Sequence, residues 1–121
     1  MTNRDTRKRV LALGYGLMGA SLARIIDNSG WARIVGVVDT SADALERAHD
    51  QHQLPEGATG DKLQAMLRDT RPDIVSINTP SEKHYRQVIA SLNAGCHVLV
   101  AKPIASSLSE ALRIVEHAQA C

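Results

Sequence analysis

The chain has 121 residues, a formal net charge of +1, 44% hydrophobic residues and 22% charged residues. This length suits one domain spanning residues 1–121, and the near-neutral charge gives no basis for binding nucleic acid or an anionic membrane surface. No apolar run approaches the roughly 18 residues of a membrane span. The basic start, with Arg4 and residues 7–9, lacks the apolar stretch of a signal peptide. Two cysteines without metal or redox spacing predict a protein of the reducing cytoplasm.

Strand-like and helix-like segments alternate along the chain. Short aliphatic or β-branched runs predict strands at residues 9–13, 33–39, 73–79 and 97–101. Amphipathic periodicity predicts helices at residues 17–29, 41–52, 61–69, 81–95 and 106–120. Nearly continuous apolar strands with helices between them are typical of a parallel sheet that is covered on both faces. The sequence therefore predicts an α/β fold with a doubly wound parallel sheet.

The helix starts carry polar residues that suit capping. We expect Ser41 and Asp61 to open the second and third helices, and Ser107 with Glu110 to form a capping box at the last one. The side of the first helix predicted to face the sheet carries Leu17, Leu22, Ile25 and Ile26.

Three glycines stand where the first strand becomes the first helix. Gly14, Gly16 and Gly19 fit G-x-G-x-x-G, in which the first glycine allows a sharp turn, the second removes a Cβ from the pyrophosphate path, and the third allows close helix packing. The helix N-terminus then offers free N–H groups to phosphates. An ordinary strand-to-helix turn would show the same spacing. The candidate cofactor contacts in this turn also include Tyr15, Leu17 and Met18.

An acidic residue ends the second strand, twenty residues after Gly19. Asp39 at this position can accept hydrogen bonds from both hydroxyls of an adenosine ribose, with Thr40 beside it. A cap or turn role before Ser41 is the alternative. The carboxylate would repel the 2′-phosphate of NADP, and the first cation that follows is Arg47. The sequence therefore predicts a Rossmann-type dinucleotide-binding domain that prefers NAD to NADP.

The second half of the chain contains a longer pattern. The segment "PDIVSINTPSEKHYRQVIASLNAGCHVLVAKPIA" contains a Thr79–Pro80 step, His84, "SLNAGCHVLV" at residues 91–100 and a Lys102–Pro103 step. It resembles the cofactor-domain signature of the Gfo/Idh/MocA family, named after glucose–fructose oxidoreductase and inositol dehydrogenase. With the glycine motif and Asp39, the resemblance spans residues 8–120.

The resemblance implies a soluble NAD- or NADP-dependent oxidoreductase that acts on a sugar, cyclitol or similar polyol. It places Thr79, Pro80, His84 and Pro103 among the cofactor-binding residues, and Lys102 beside the nicotinamide and the reacting carbinol. A positioned ammonium there can hydrogen-bond the hydroxyl and stabilise oxyanion character as hydride leaves the carbon. Without the resemblance, a surface lysine before a proline turn is the simpler interpretation of Lys102.

The chain departs from the family pattern in three respects. Ala101 stands where the family usually has Glu, so a carboxylate that would orient Lys102 is missing. Cys96 replaces a common Lys, which we interpret as a surface change. Family members also carry a C-terminal α/β domain that supplies the substrate pocket, and we expect the 121 residues to lack it.

Three functions are compatible with these observations. In the first, the chain is the cofactor-binding part of a dehydrogenase. In the second, it is a stand-alone dinucleotide-binding module, such as a redox sensor or a subunit completed by another chain. In the third, it belongs to a different family with a similar cofactor domain, such as the amino-acid or dihydrodipicolinate-type dehydrogenases. The Thr79–Pro80 and Lys102–Pro103 steps argue against the third.

Two further pairs of residues are weak candidates for chemistry. His49 and His52 could share a metal on the second helix, but no third ligand accompanies them, so a solvated helix face and no metal are predicted. Cys96 and His97 are adjacent in a strand and point to opposite faces, which excludes a thiolate–imidazole pair.

Overall fold

A computed structural model describes residues 5–121, so Arg4 of the basic start lies outside the described residues. The strands are β1 (Lys8–Leu13), β2 (Ala32–Val38), β3 (Thr59–Gly60), β4 (Ile74–Ile77) and β5 (His97–Val100). The helices are α1 (Leu17–Asn28), α2 (Ala42–His52), α3 (Leu63–Thr70), α4 (His84–Asn93) and α5 (Leu108–Ala120), with a short 3-10 turn at Ser81–Lys83.

All strand pairs are parallel, and the sheet order is β3-β2-β1-β4-β5. The chain winds outward from β1 to β3, then crosses back and winds outward again through β4 and β5. The winding therefore reverses between β1 and β4, which is the place where such sheets bind ligands. The doubly wound, Rossmann-type prediction is confirmed.

The central strand explains why the core has two layers. Leu11 and Leu13 of β1 pack with the cluster that includes residues of α3, α4 and α5. Val10 and Ala12 alternate with them and pack with residues of α1 and α2 on the opposite face. Because both faces of β1 are buried, each of these four positions is apolar.

The buried side of α1 differs from the predicted one. Leu17 and Ile25 are 87% and 66% exposed, whereas Gly19 and Ala23 are the buried residues of the helix. An added Cβ at Gly19 would lie 2.2 Å from the Gly14 carbonyl oxygen, so α1 lies too close to the turn for a larger side chain. Small residues therefore face the sheet, and only Leu22 and Ile26 of the predicted set are half-buried.

Serine side chains cap two of the three predicted helix starts, and at α5 the structure shows the Ser107 half of the predicted capping box. The Ser41 hydroxyl accepts a hydrogen bond from the Ala44 N–H, and the Ser107 hydroxyl accepts one from the Glu110 N–H, both at 3.2 Å. Asp61 does not cap α3, which begins after Lys62 without a side-chain cap.

The two-residue strand β3 was not predicted, because it is too short to show any periodicity. No helix in residues 5–121 is long and apolar enough to cross a membrane.

Cys96 is a core residue, so its interpretation as a surface change is wrong. Its side chain is 6% exposed and belongs to the cluster around Val75 and Ile77. The thiol donates a hydrogen bond to the Pro72 carbonyl oxygen at 3.3 Å. Burial raises the pKa of the Cys96 thiol above its ordinary value.

Candidate functional site

A cavity of about 420 Å³ opens where the sheet reverses its winding. Six of the predicted cofactor contacts line it: Gly14, Gly16, Asp39, Thr40, Thr79 and Pro80. Its other walls come from Leu13, Val38, Asp61, Leu63, Asn78, Lys83 and Gln87. A larger cleft of about 600 Å³ lies along α4, β5 and α5, but its lining is mostly apolar and includes none of the predicted site residues. The smaller cavity is therefore the candidate site.

The three glycines of the turn have different tasks. Gly14 has a φ of +91°, and an added Cβ would lie 2.3 Å from the Asn78 carbonyl oxygen. Gly19 is equally confined by Gly14, as described above. Gly16 is the exception, since an added Cβ there would meet nothing within 4 Å. Its missing side chain leaves open space at the cavity.

The N-terminus of α1 meets this open space. Gly16 is its N-cap residue, and the first turn has neither a side-chain cap nor an acidic residue. Its first N–H groups have no partners within the helix, and the positive end of the helix dipole points the same way. A space that a Cβ would fill, beside free N–H groups, fits a pyrophosphate. The side chains of Leu17 and Met18 are 87% and 75% exposed, so these residues offer the cavity only their backbone.

Asp39 joins two turns at the edge of the cavity. One carboxylate oxygen accepts a hydrogen bond from the Tyr15 N–H at 2.7 Å, and the other accepts one from the Ser41 N–H at 2.9 Å. Each oxygen retains a further lone pair that can accept a hydroxyl hydrogen. The turn role and the ribose role weighed for this residue are therefore compatible.

The Tyr15 side chain points away from the cavity. It is 0% exposed, and its hydroxyl lies 2.8 Å from His52 Nε2 and also contacts the Gln51 side chain. His52 Nδ1 in turn pairs with the Asp27 carboxylate of α1. Burial raises the pKa of the Tyr15 hydroxyl. Only the backbone of Tyr15 is available to a ligand.

The prediction that His49 and His52 form a solvated helix face is wrong for His52, whose side chain is 1% exposed. The His49 side chain is 50% exposed and lies beside Asp50. No three metal-ligating side chains cluster among the residues that the structure describes. The spacing of the two histidines could not show the burial of His52, because its partners Tyr15 and Asp27 lie far away in the sequence.

The Thr79–Pro80 step forms the opposite wall of the cavity. The Thr79 hydroxyl donates a hydrogen bond to the Gln87 side chain at 2.5 Å. His84, 1% exposed, lies behind this wall with its ring nitrogens 2.7 Å from the Thr79 and Pro103 carbonyl oxygens. Its side chain is thus engaged by the protein and supports the wall instead of facing the cavity.

Lys102 and Pro103 are exposed and do not line the cavity. They lie in the loop after β5, and His84 links this loop to the cavity wall.

Sequence reasoning missed Asn78, Asp61, Lys83 and Gln87 as residues that line the cavity. Asn78 and Asp61 directly follow β4 and β3, so the rule that polar residues after parallel strands share one edge would have found them.

Comparison with known proteins decides the family. Residues 8–120 match the oxidoreductase family with an NAD-binding Rossmann fold, GFO_IDH_MocA. The chain belongs to this family. This Gfo/Idh/MocA chain therefore contains the family's dinucleotide-binding domain, and membership in a different family with a similar cofactor domain is set aside.

Individual relatives agree with this assignment. An inositol 2-dehydrogenase from Rhodococcus erythropolis is 36% identical over 111 residues, covering 89% of this chain and 31% of the relative. A glycosyl hydrolase family 109 protein from Streptomyces coelicolor is 32% identical, covering 89% and 24%. The WlbA dehydrogenase from Bordetella pertussis, solved with NADH and UDP-GlcNAcA, superposes with a TM-score of 0.86 at 27% identity, covering 94% and 35%. The chain thus spans about a quarter to a third of the length of these relatives.

Proposed function

We propose that residues 1–121 form the NAD-binding domain of a dehydrogenase that transfers hydride between nicotinamide and a CH–OH group of a sugar, cyclitol or similar polyol. The observation that carries the proposal is the open space at Gly16, which adjoins the uncapped N-terminus of α1 and shares a cavity with Asp39. Relatives named for inositol and 1,5-anhydro-D-fructose supply the substrate class. The proposed compartment is the cytoplasm, where the free thiols Cys96 and Cys121 would stay reduced.

The two ends of the cavity would hold different parts of the cofactor. The backbone of the turn from Gly14 to Gly19 would bind the pyrophosphate, and Asp39 with Thr40 would bind the adenosine ribose. Thr79 and Pro80 would lie toward the nicotinamide, with His84 and the Lys102–Pro103 step behind and beside them.

The charge distribution favours NAD over NADP. Asp39 would repel a 2′-phosphate, and the residues that follow it bring no cation before Arg47. Lys83 does line the cavity, but it follows β4, on the other side of β1 from Asp39. A phosphate on the adenosine ribose would therefore meet the carboxylate without a compensating cation.

Lys102 is the proposed catalytic residue. Bound NAD would supply the hydride acceptor, and the Lys102 ammonium would donate a hydrogen bond to the substrate oxygen, stabilising its negative character as the C–H bond breaks. Ala101 leaves this ammonium without the carboxylate neighbour expected from the family pattern. The orientation of Lys102 must then come from the loop itself.

The proposal is tested by calorimetric titration of the chain with NAD and NADP. We expect NAD to bind more tightly, and Gly16→Val to abolish binding while the fold remains, since the added side chain would fill the pyrophosphate space without meeting protein atoms. A folded Gly16→Val variant with unchanged NAD affinity would contradict the placement of the pyrophosphate. The control is Ile25→Ala, which changes a 66% exposed side chain of α1 outside the cavity and should leave affinity unchanged.

A further inference from the structure

His84 connects two loops that belong to different parts of the proposed site. Its side chain is 1% exposed at the first residue of α4. Nε2 lies 2.7 Å from the carbonyl oxygen of Thr79, in the cavity wall after β4. Nδ1 lies 2.7 Å from the carbonyl oxygen of Pro103, the residue that follows Lys102. The imidazole therefore spans from the cavity wall to the loop of the proposed catalytic lysine.

Both partners of the ring are carbonyl oxygens, which only accept hydrogen bonds. The ring must therefore be the donor toward either carbonyl. The ring is 1% exposed, so water cannot replace these contacts, and losing one would leave a buried polar group unsatisfied at a cost of about 1–3 kcal/mol.

The Lys102 loop depends on this contact. Ala101, at the end of β5, donates its N–H to the Ile77 carbonyl oxygen at 2.9 Å. Among the described residues, the next hydrogen bond that fixes the loop before α5 is the one between His84 and Pro103. Within residues 5–121, the side chain of Lys102 has no ion-pair partner.

We propose that His84 ties the loop after β4 to the loop after β5, through the Thr79 and Pro103 carbonyl oxygens, and thereby positions Lys102 beside the cavity. His84 is a positioning residue, since its ring reaches only protein atoms. The positioning of Lys102 for hydride transfer rests on the proposed function, whereas the link between the two loops does not. The imidazole anchors the loop through its backbone, so this anchor does not need a carboxylate at position 101.

The first experiment observes the ring protons directly. The chain is labelled with ¹⁵N-histidine, and its ring N–H groups are recorded by NMR near neutral pH. We expect a slowly exchanging, hydrogen-bonded ring N–H proton on His84, absent in His84→Gln and retained in His97→Gln, the same change at an exposed histidine of β5. Through-bond correlation of the ring to its own backbone assigns the signals in the unmodified chain, so the result does not depend on the variant folding. The absence of any protected ring N–H on His84 would overturn the proposal.

The second experiment measures the positioning of the loop. In His84→Gln we expect faster hydrogen–deuterium exchange at residues 102–105 and unchanged exchange in α1. NAD affinity should fall about threefold to tenfold, while the affinity for ADP-ribose, which lacks the nicotinamide, should stay within about twofold. Unchanged exchange of the loop would overturn the positioning role. Absence of binding by both ligands in the unmodified chain would refute the proposed function, and the ring N–H and exchange results would still decide the role of His84.

Discussion

The three glycines of the turn after β1 have distinct physical roles. Gly14 and Gly19 are required by the protein itself, because an added Cβ would lie within 2.3 Å of a backbone oxygen at either position. Gly16 is surrounded by open space, so its lack of a side chain serves something outside the chain. Substitutions at these positions should therefore separate loss of stability from loss of binding.

The charge of Asp39 should control the choice between the two dinucleotides. We expect Asp39→Asn to weaken NAD binding and to narrow the difference between NAD and NADP by about tenfold or more, because repulsion between charges at about 4 Å amounts to a few kcal/mol at an effective dielectric near 20. Calorimetry with both ligands measures this. Asp50→Asn, the same charge change at a side chain that is 77% exposed on α2, is the control. An unchanged ratio of NAD to NADP affinity in Asp39→Asn would refute the ribose assignment.

Burial of Cys96 should make its thiol unreactive. Because its pKa is raised, a smaller fraction is thiolate at any given alkaline pH than in the unfolded chain, and alkylation requires the thiolate. We expect iodoacetamide at about pH 8 to label the exposed Cys121 and to leave Cys96 unlabelled until denaturant is added. Mass spectrometry of the peptides would show it. Equal labelling of the two thiols in the folded chain would contradict the observed burial.

At the scale of elements, α1 is placed by small residues and by a buried polar contact. Gly19 and Ala23 let the helix approach the sheet, and Asp27 pairs with His52 to tie α1 to α2. The Asp27 carboxylate also accepts a hydrogen bond from the Ile34 N–H at 2.6 Å. The N-terminus of α1 therefore has a fixed position relative to the cavity.

Displacing α1 should lower stability and cofactor affinity together. Gly19→Ala places a Cβ 2.2 Å from the Gly14 carbonyl oxygen, so the helix must move. We expect the free energy of unfolding to fall by about 1–3 kcal/mol, as for other overpacked sites, and NAD affinity to fall with it. Urea unfolding and calorimetry test this. Ile25→Ala, at a 66% exposed position of the same helix, should change neither quantity by much. A Gly19→Ala variant as stable as the parent would show that the turn is not confined.

For the whole molecule, the site residues are divided between a formed cavity and an exposed loop. The predicted phosphate and ribose contacts surround the cavity, whereas Lys102 lies outside its walls and is exposed. The chain also spans about a quarter to a third of the length of its relatives. Cofactor binding and catalysis should therefore be separable.

We expect the 121-residue chain to bind NAD without appreciable polyol oxidation. Hydride transfer needs the carbinol carbon held about 3–3.5 Å from the nicotinamide, and such positioning can lower the barrier by roughly 7–11 kcal/mol. One exposed ammonium cannot hold a substrate in that geometry. NADH absorbance, followed with a panel of sugars and cyclitols, tests this. Robust turnover by the chain alone would refute the separation of cofactor binding from catalysis.

The sequence by itself determined the sheet and the position of the glycine turn. Alternating apolar strands and amphipathic helices predict a parallel sheet because each signal is local, and G-x-G-x-x-G followed by Asp39 can be recognised without knowing any distant contact. The resemblance of residues 72–105 added Lys102 and the family.

Tertiary structure decided which residues meet. The side of α1 that faces the sheet, the burial of His52 and Cys96, and the bridging position of His84 all depend on partners far away in the sequence. Periodicity shows which side of a helix is apolar, but the distance between helix and sheet decides whether a leucine or a glycine fits there. Close packing of elements that lie far apart in the chain sets that distance, and it has no local signature.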